Sequence, residues 1–284
     1  MTEIHQFTVV DPAAKIGANV KIGPFCAIGP EVQLGDGCIL YNNVTLTGRT
    51  RIGDHNVFYQ NVVVGETPQD LKYRGQPTET IVGPRNVFRE NVTIHRGTEL
   101  GGGKTVIGEG NLIMASAHIA HDCILGSGIL LGNASLLAGH VTIEDQAVIS
   151  ALVGIHHFVT IGRFSFVGGL TPVRRDVPPY VKFSGDPNEV RGLNEEGLRR
   201  RGLDETEIQA LRDAYRELYR RGATLTAALD AIEAQPNRTE HVRYLCDFLR
   251  RSLTGRFGRF QETNRQDSRQ DRSYRRPAEV REDQ

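Results

Sequence analysis

The chain has 284 residues, of which 39% are hydrophobic, and its 34 basic and 34 acidic side chains give a formal net charge of zero. This balance argues against a general binder of nucleic acids or anionic membranes. No apolar run approaches the length of a membrane span, and the N-terminus "MTEIHQFTVV" lacks the pattern of a signal peptide. The cysteines are scattered without a CxxC pair, which predicts free thiols in a reducing cytosol.

A six-residue period begins near Lys15 and governs most of the chain. Aliphatic or aromatic residues recur at every sixth position, with two interruptions. Six is three times the two-residue period of a strand, so these side chains share one strand face and are expected to point inward. The positions are Ile16, Ile22, Ile28, Leu34, Leu40, Leu46, Ile52, Phe58, Val64, Val82, Phe88, Ile94, Ile107, Ile113, Ile119, Leu125, Leu131, Leu137, Ile143, Ile149, Ile155, Ile161 and Val167.

Two further signals accompany each repeat. The position two residues before the aliphatic one is also expected to point inward. To it we assign the small or β-branched residues Ala27, Ala117, Cys123, Ser135, Val141, Ala147, Val153 and Val159. Residues that tolerate positive φ stand three positions after the aliphatic one: Asn19, Gly37, Asn43, Asn61, Asn91, Gly97, Gly110, Asp122 and Gly128. Each hexapeptide is therefore a short strand with a sharp corner, and three make a coil of about 18 residues. The prediction is a mainly β fold, a parallel β-helix with an aliphatic interior.

Two stretches break the period, and we expect both to project as loops, over residues 66–80 and 97–105. The β-helix with these loops is predicted to occupy residues 1–187. A small α-helical domain follows over residues 188–256: Asp204 and Glu207 form a capping box, Thr224 opens a second helix, and "EHVRYLCDFLRRS" forms a third. Residues 257–284 have few apolar side chains and mixed charge, which predicts a disordered tail.

The coil length brings together five of the nine histidines. Residue n lies above residue n − 18 at about 4.8 Å, the spacing of neighbouring strands. The resulting columns are His121, Gly139 and His157; Asp122, His140 and Phe158; and Ala120, Ala138 and His156. We therefore expect one outer patch that contains His118, His121, His140, His156 and His157.

Two kinds of chemistry fit this patch. Histidine is a common zinc ligand, and left-handed β-helix carbonic anhydrases use three histidines at a subunit interface. Alternatively, a neutral imidazole takes a proton from a hydroxyl group while a nearby carboxylate, here Asp122, stabilises the imidazolium. Gly139, stacked next to His121, would leave a backbone N–H open to an oxyanion. The residues favour the base over zinc, and both interpretations stay open.

Six motifs resemble those of the UDP-N-acetylglucosamine O-acyltransferase family. They are "YQNVVVGETPQDLKYRGQPTE", "VTIHRGTELGGG", "AHIAHDC", "AGHVTI", "DVPPYV" and "GLNEEGLRRRG", and the resemblance runs from about Ile16 to Arg256. It implies a left-handed β-helix and a homotrimer with active sites between subunits. It also implies a cytoplasmic bacterial enzyme that transfers a 3-hydroxyacyl chain from acyl carrier protein to the 3-hydroxyl of UDP-N-acetylglucosamine, the first step of lipid A synthesis. No metal or cofactor is expected beyond the phosphopantetheine of the carrier.

The same resemblance implies roles for particular residues. His121 is the general base, Asp122 orients it, and the Gly139 N–H holds the thioester oxyanion. His118, His140 and His156 are further active-site histidines that contact substrate. Asp70 and Lys72 reach the sugar and acyl-donor region, and the nucleotide and diphosphate contacts are Asn194, Glu196, Arg200 and Arg201.

Two positions bear on specificity. His157 stands where the family commonly has Gln, so this nucleotide contact differs. Gly169 matches a residue that limits acyl length, and a glycine there predicts room for a chain of more than ten carbons. The alternative functions are an acyltransferase of the same fold that uses acetyl-CoA or an amino-sugar nucleotide, a zinc enzyme like the carbonic anhydrases, and a non-catalytic trimer that only binds carrier protein.

Overall fold

A computed structural model describes residues 1–265. The chain winds into the predicted left-handed parallel β-helix, with one sheet on each side of the coil. Sheet 1 contains Glu3–Ile4, Lys21–Ile22, Ile39–Leu40, Val57–Phe58, Val87–Phe88, Leu112–Ile113, Leu130–Leu131, Val148–Ile149, Phe166–Val167, Val181–Ser184 and Glu189–Leu193. Sheet 2 contains Val9–Val10, Ala27–Ile28, Thr45–Leu46, Val63–Glu66, Thr93–His95, His118–Ile119, Leu136–Leu137, Gly154–Ile155 and Pro172–Val173. Sheet 3 contains Lys15–Ile16, Gln33–Leu34, Arg49–Ile52, Glu79–Val82, Lys104–Ile107, Ile124–Leu125, Thr142–Ile143 and Thr160–Ile161.

The residues of the six-residue period fill the interior. Every predicted position from Ile22 to Val167 is at most 5% exposed, and Ile16, in an outermost coil, packs half-buried against this core. Ala27 was expected inside but is exposed. It stands one residue before Ile28 and therefore on the opposite strand face, and Cys26, two residues before Ile28, is buried instead. The period thus predicts the core, because the aliphatic residue and the residue two positions before it share the inner strand face.

Left-handed backbone conformations form the corners. All the predicted corner residues have positive φ except Gly97. Phe25, Ala134 and Leu152 adopt the same conformation at the same position of the repeat. Because this conformation costs a side-chain-bearing residue roughly 1–2 kcal/mol, the stacked coils, and not local preference, impose the corner at these positions.

Both interruptions of the period are loops, as predicted. The first connects Val63–Glu66 to Glu79–Val82, and the second, between Thr93–His95 and Lys104–Ile107, contains a 3₁₀ turn over Glu99–Gly101. Each loop leaves sheet 2 and returns to sheet 3. They therefore project at the corner between these two sheets.

Within residues 1–265, four α-helices follow the β-helix. They are α1 (Glu195–Arg200), α2 (Glu205–Tyr219), α3 (Leu225–Glu233) and α4 (Glu240–Thr254). The predicted caps hold: Asp204 accepts a hydrogen bond from the Glu207 N–H at 2.8 Å, and Thr224 accepts from the Ala227 N–H at 3.3 Å. The short helix α1 was not predicted. The predicted domain boundary at residue 187 falls in the turn of the antiparallel hairpin formed by Val181–Ser184 and Glu189–Leu193.

The segment after residue 256 differs from the prediction. We expected a disordered tail from residue 257, but residues 257–265 include a 3₁₀ helix over Phe260–Asn264 that packs against the β-helix and α4. The segment is held by polar contacts, which an apolar-content argument does not detect. The rest of the predicted tail, residues 266–284, lies outside the described residues. Within residues 1–265 no helix has the length and apolar character needed to cross a membrane.

Candidate active site

A cleft of about 470 Å³ lies on the outer face of sheet 2, beside its corner with sheet 3. Four of the five predicted histidines line it: His118, His121, His156 and His157. The fifth, His140, lies beside them, with its ring centroid 5.2 Å from that of His121. The floor of the cleft continues along the β-helix over three residues on neighbouring strands of sheet 2, Leu136, Gly154 and Pro172. The structure therefore places an imidazole cluster at one end of an apolar groove.

Asp122 is a corner residue with φ of 60°, and its side chain is completely buried. One carboxylate oxygen accepts the Thr98 N–H at 2.8 Å, and the other accepts the Thr98 hydroxyl at 2.5 Å. The second oxygen also lies 2.8 Å from His121 Nδ1. A buried carboxylate is tolerated because such hydrogen bonds replace its hydration.

The carboxylate determines which nitrogen of His121 is available. An ionised carboxylate only accepts hydrogen bonds, so His121 Nδ1 donates to Asp122, and Nε2 carries the free lone pair in the neutral ring. The ring lies over Gly139: an added Cβ there would be 2.4 Å from His121 Cε1 and 2.7 Å from Nε2. Within residues 1–265 the Gly139 N–H donates no hydrogen bond. A basic nitrogen and an unused donor thus meet at the cleft.

His140 and His95 are kept neutral by their surroundings. Burial lowers the pKa of His140 to about 4, although Asp122, and more weakly Asp70, act in the opposite direction. Burial, followed by the neighbouring His118, lowers the pKa of His95 to about 4. Burial also lowers the pKa of His118, whose Nδ1 lies 2.8 Å from the Thr93 hydroxyl. These rings can donate or accept hydrogen bonds but carry no charge near pH 7.

His95 and Thr98 also belong to this site and were not predicted from the sequence. His95 is 6% exposed, and its ring centroid lies 4.8 Å from that of His118. Thr98 holds both oxygens of Asp122 from the second loop, and Gly101 in the same loop packs directly on that carboxylate. The only signal for Thr98 was the position of the loop, since loop residues do not follow the column arithmetic.

The first loop reaches the same corner. Gln69 lines the cleft, and Asp70 is close enough to influence the pKa of His140. Asp70 Oδ1 accepts the Lys72 N–H at 3.0 Å, which closes a turn. Asp70 therefore lies near His140, and the Lys72 backbone belongs to the same turn.

The residues predicted to contact the nucleotide and diphosphate lie at a different corner of the β-helix, the one between sheets 3 and 1. Asn194 is buried there and donates through Nδ2 to the Phe164 carbonyl at 2.9 Å. Arg201 donates to the Gln146 side chain and to the Gly128 carbonyl. Glu196 and Arg200 form an exposed ion pair of 2.9 Å on α1. One chain therefore does not bring these four residues to its own histidines.

Gly169 is exposed at the corner before the strand Pro172–Val173. It lies three residues before Pro172, which lines the cleft, and an added Cβ would meet the Ala151 carbonyl oxygen at 3.2 Å. The neighbouring corner residues Leu152 and Leu170 are exposed and apolar. Position 169 therefore lies at the edge of sheet 2 opposite the histidine corner.

The histidines also offer a possible metal site. His121, Asp122 and His140 each present one ligand atom, and the three atoms lie within 4.8 Å of one another. Both oxygens of Asp122 and the Nδ1 of His121 are already engaged in hydrogen bonds. Zinc would compete with these hydrogen bonds for Asp122 and for His121 Nδ1, so the donor set fits an oriented base better than a metal.

Two family models match parts of the chain. Residues 176–256 match the family described as domain 2 of UDP N-acetylglucosamine O-acyltransferase. Residues 13–48 match the bacterial transferase hexapeptide family, which describes six repeats. The two matches cover the helical region and the beginning of the β-helix.

Solved structures resemble most of the chain. The UDP-N-acetylglucosamine acyltransferase of Bacteroides fragilis is 38% identical, with a TM-score of 0.84 over 87% of this chain and 96% of that one. The enzyme from Moraxella catarrhalis is 40% identical, with a TM-score of 0.82 over 86% and 95% of the two chains. The Francisella novicida enzyme is 36% identical, with a TM-score of 0.83 over 88% and 91%.

Replacing Gly139 with alanine should disable the site. The new Cβ would overlap the His121 ring, which must turn away from Asp122, and a displacement of about 1 Å lowers turnover roughly a hundredfold. The matched control is Gly29→Ala, where the nearest atom to an added Cβ is 3.5 Å away. Steady-state turnover of a folded Gly139→Ala protein within tenfold of the control would contradict this packing.

Stability should decrease as the pH falls from 6.5 toward 4. Their lowered pKa values leave His95 and His140 neutral in the folded chain over this window, while the unfolded chain binds protons at the ordinary pKa near 6.5. Each residue then contributes a slope of about 1.4 kcal/mol per pH unit, which vanishes above pH 6.5. In urea unfolding, the free energy of unfolding of the His95→Gln variant should depend less steeply on pH than that of the wild type. The control variant His5→Gln, at an exposed position, should show the wild-type pH dependence. Equal slopes in the two variants would refute the assignment.

Proposed function

This chain belongs to the UDP-N-acetylglucosamine O-acyltransferase family, and on that premise we propose that it transfers a 3-hydroxyacyl chain from acyl carrier protein to the 3-hydroxyl of UDP-N-acetylglucosamine, the first step of lipid A synthesis. The observation that carries the proposal is the orientation of His121. Its Nδ1 is held by the buried Asp122, and its Nε2 faces a cleft with an apolar groove. A base beside an acyl groove suits transfer of a fatty acyl chain to a hydroxyl group.

The reaction requires one proton to move twice. His121 Nε2 takes the proton of the sugar 3-hydroxyl, and the oxygen forms a bond to the thioester carbonyl carbon. The resulting tetrahedral oxyanion accepts the Gly139 N–H. When the C–S bond breaks, the imidazolium returns the proton to the leaving phosphopantetheine thiolate, so the base is regenerated and no net charge accumulates.

The neighbouring groups stabilise this sequence. Asp122 stays hydrogen-bonded to Nδ1 and offsets the positive charge that His121 gains. His118, His140 and His156 contact the substrate, and Asp70 and Lys72 bind in the sugar and acyl-donor region. His157 contacts the nucleotide side of the cleft in place of the glutamine common in the family.

We propose that the site is completed by a second chain. Asn194, Glu196, Arg200 and Arg201 bind the nucleotide and diphosphate, and arginine suits bidentate phosphate binding. These residues lie at the corner between sheets 3 and 1, whereas the histidines lie at the corner between sheets 2 and 3. In a homotrimer of parallel prisms, the histidine corner of one chain can face the helical domain of the next.

The proposed reaction needs no metal or cofactor of the enzyme's own, since the acyl donor is the phosphopantetheine thioester of acyl carrier protein. We place it in the bacterial cytoplasm, where the family's substrates are made and where the four free cysteines stay reduced. An acyltransferase of the same fold with acetyl-CoA or an amino-sugar acceptor remains the second candidate, because the groove alone does not select the acceptor.

A panel of donors and acceptors tests the proposal. We expect turnover with 3-hydroxyacyl carrier protein and UDP-N-acetylglucosamine, little with acetyl-CoA, and no effect of a strong chelator. Preference for acetyl-CoA or for a 3-amino sugar nucleotide would favour the second candidate. Activity that disappears with chelator and returns with zinc would support the carbonic-anhydrase class, and tight carrier binding without turnover would support a non-catalytic trimer.

The His121→Ala variant should lose turnover but still bind UDP-N-acetylglucosamine. A general base contributes about 10² to 10⁴ in rate, so kcat should fall by at least that factor. The affinity for UDP-N-acetylglucosamine, measured by calorimetry, should change less than threefold, roughly 0.6 kcal/mol. Near-normal kcat would end the assignment and make His140 the next candidate.

The preference of the enzyme for donors of a given acyl-chain length should depend on Gly169. We propose that the acyl chain follows the apolar groove over Leu136, Gly154 and Pro172 toward this residue. Each further buried methylene stabilises the complex by about 0.8 kcal/mol, nearly fourfold in affinity, until the groove ends. The wild-type enzyme should therefore prefer chains longer than ten carbons, and Gly169→Met should shift the preference to ten. An unchanged preference in Gly169→Met, or a wild type that already prefers ten carbons, would exclude this residue as the length determinant.

A further inference from the structure

The segment of residues 256–265, which we call the C-terminal segment, is attached to the β-helix by specific polar contacts. Gln261 Nε2 donates to the hydroxyls of Thr142 and Thr160 at 2.8 Å each. These threonines are neighbours in sheet 3. The buried Asp176 accepts the Phe260 N–H and the Ser252 hydroxyl at 3.0 Å each. The segment therefore lies along the outer face of sheet 3, next to the histidine corner.

A buried ion pair fixes the path of the segment. Arg259 and Glu262 lie 3.0 Å apart, with side chains 8% and 7% exposed. Arg259 also donates to the Arg174 carbonyl at 2.7 Å, and Arg174 lines the cleft. Glu262 also pairs with Arg265 at 3.1 Å, and removing Glu262 would leave the buried Arg259 without its ion-pair partner. The C-terminal segment is therefore bound to the β-helix at a defined position.

The segment reaches the histidines through one aromatic ring. Phe158 stands one coil after His140 in the same corner column, with φ of 63° and 9% exposure. The two rings are stacked, with centroids 4.4 Å apart and planes 7° from parallel. The Arg265 guanidinium carbon lies 5.7 Å from the centre of the Phe158 ring. Contacts thus run from the C-terminal segment through Phe158 to a ring beside the general base.

We infer that the C-terminal segment positions His140 through Phe158, so that Phe158 and Arg265 are positioning residues of the active site. The inference rests on the function proposed above. It concerns a part of the chain that follows the last residue of the family match, residue 256. Stacking on Phe158 holds the plane of His140 and keeps water away from one face of its ring.

The expected consequence is a change in the protonation of His140. The charged and titratable groups that act on it are Asp122 and His121 from the preceding coil, His157 from the next, and Asp70 from the first loop. Burial dominates over all of them and lowers the pKa of His140 to about 4. Loosening Phe158 admits water, so the pKa should rise toward the ordinary value near 6.5. His140 would then become cationic at mildly acidic pH.

The test uses the full-length chain with Phe158→Leu, which removes the stacking ring, and Gln261→Ala, which loosens the segment. The control is Phe25→Leu, another corner phenylalanine with φ of 61°, which is exposed near the N-terminus and far from the active-site histidines. Selective isotope labelling of histidine allows the His140 ring to be titrated by NMR. Both test variants should raise its pKa to near 6.5, and the control should not.

Kinetics provide the second measurement. If only neutral His140 supports turnover, a pKa near 6.5 leaves about one tenth of the rate at pH 5.5. The ratio of variant to wild-type kcat should therefore fall about tenfold between pH 7.5 and 5.5, with the KM for the UDP-sugar nearly constant. Titrations and kcat ratios that match those of Phe25→Leu would overturn the inference. The NMR titration needs no substrate. If the wild type had no acyl-transfer activity, the proposed function would be refuted, but the His140 titration would still test whether the C-terminal segment positions His140.

Discussion

The strict stacking of coils is the constraint on which the rest of this structure depends. Neighbouring strands lie one hydrogen-bond spacing apart, and each coil repeats the path of the one below. A residue therefore meets the residue about 18 positions away, or 25 to 30 positions away where a loop is inserted. Because the interior is filled by aliphatic side chains that allow no slip of register, the outer columns are fixed as firmly as the core. The histidine cluster is a product of this fixed register.

The buried carboxylate of Asp122 orients His121 within the histidine cluster. Burying a charge is unfavourable unless hydrogen bonds replace its hydration, and here the Thr98 amide, the Thr98 hydroxyl and His121 replace it. Two of these donors belong to the second loop, so that loop has a structural purpose besides any contact with substrate. The orientation of His121 thus depends on a loop that interrupts the repeat, and on a glycine at position 139 that leaves room for the ring.

The sequence predicted those features that follow the repeat. The aliphatic positions indicated the interior, and the column arithmetic placed His121 over Gly139 and next to His140. It did not predict Thr98 or His95 as parts of the site, because Thr98 stands in an insertion, where residue spacing no longer gives position, and no residue pattern marked His95. The helix α1 is too short for a periodic signal, and the C-terminal segment is held by Gln261, Asp176 and an ion pair, which carry no apolar pattern.

The separation of the predicted contacts between two corners is the strongest reason to regard the active site as shared between chains. Mixed trimers test this directly. One chain would carry His121→Ala and the other Arg200→Ala with Arg201→Ala, and each protein alone should be nearly inactive. If every site combines the histidines of one chain with the arginines of its neighbour, random assembly restores one half times one half, about a quarter, of the wild-type sites. Coexpressed chains that form mixed trimers and yet regain no activity would contradict the shared site.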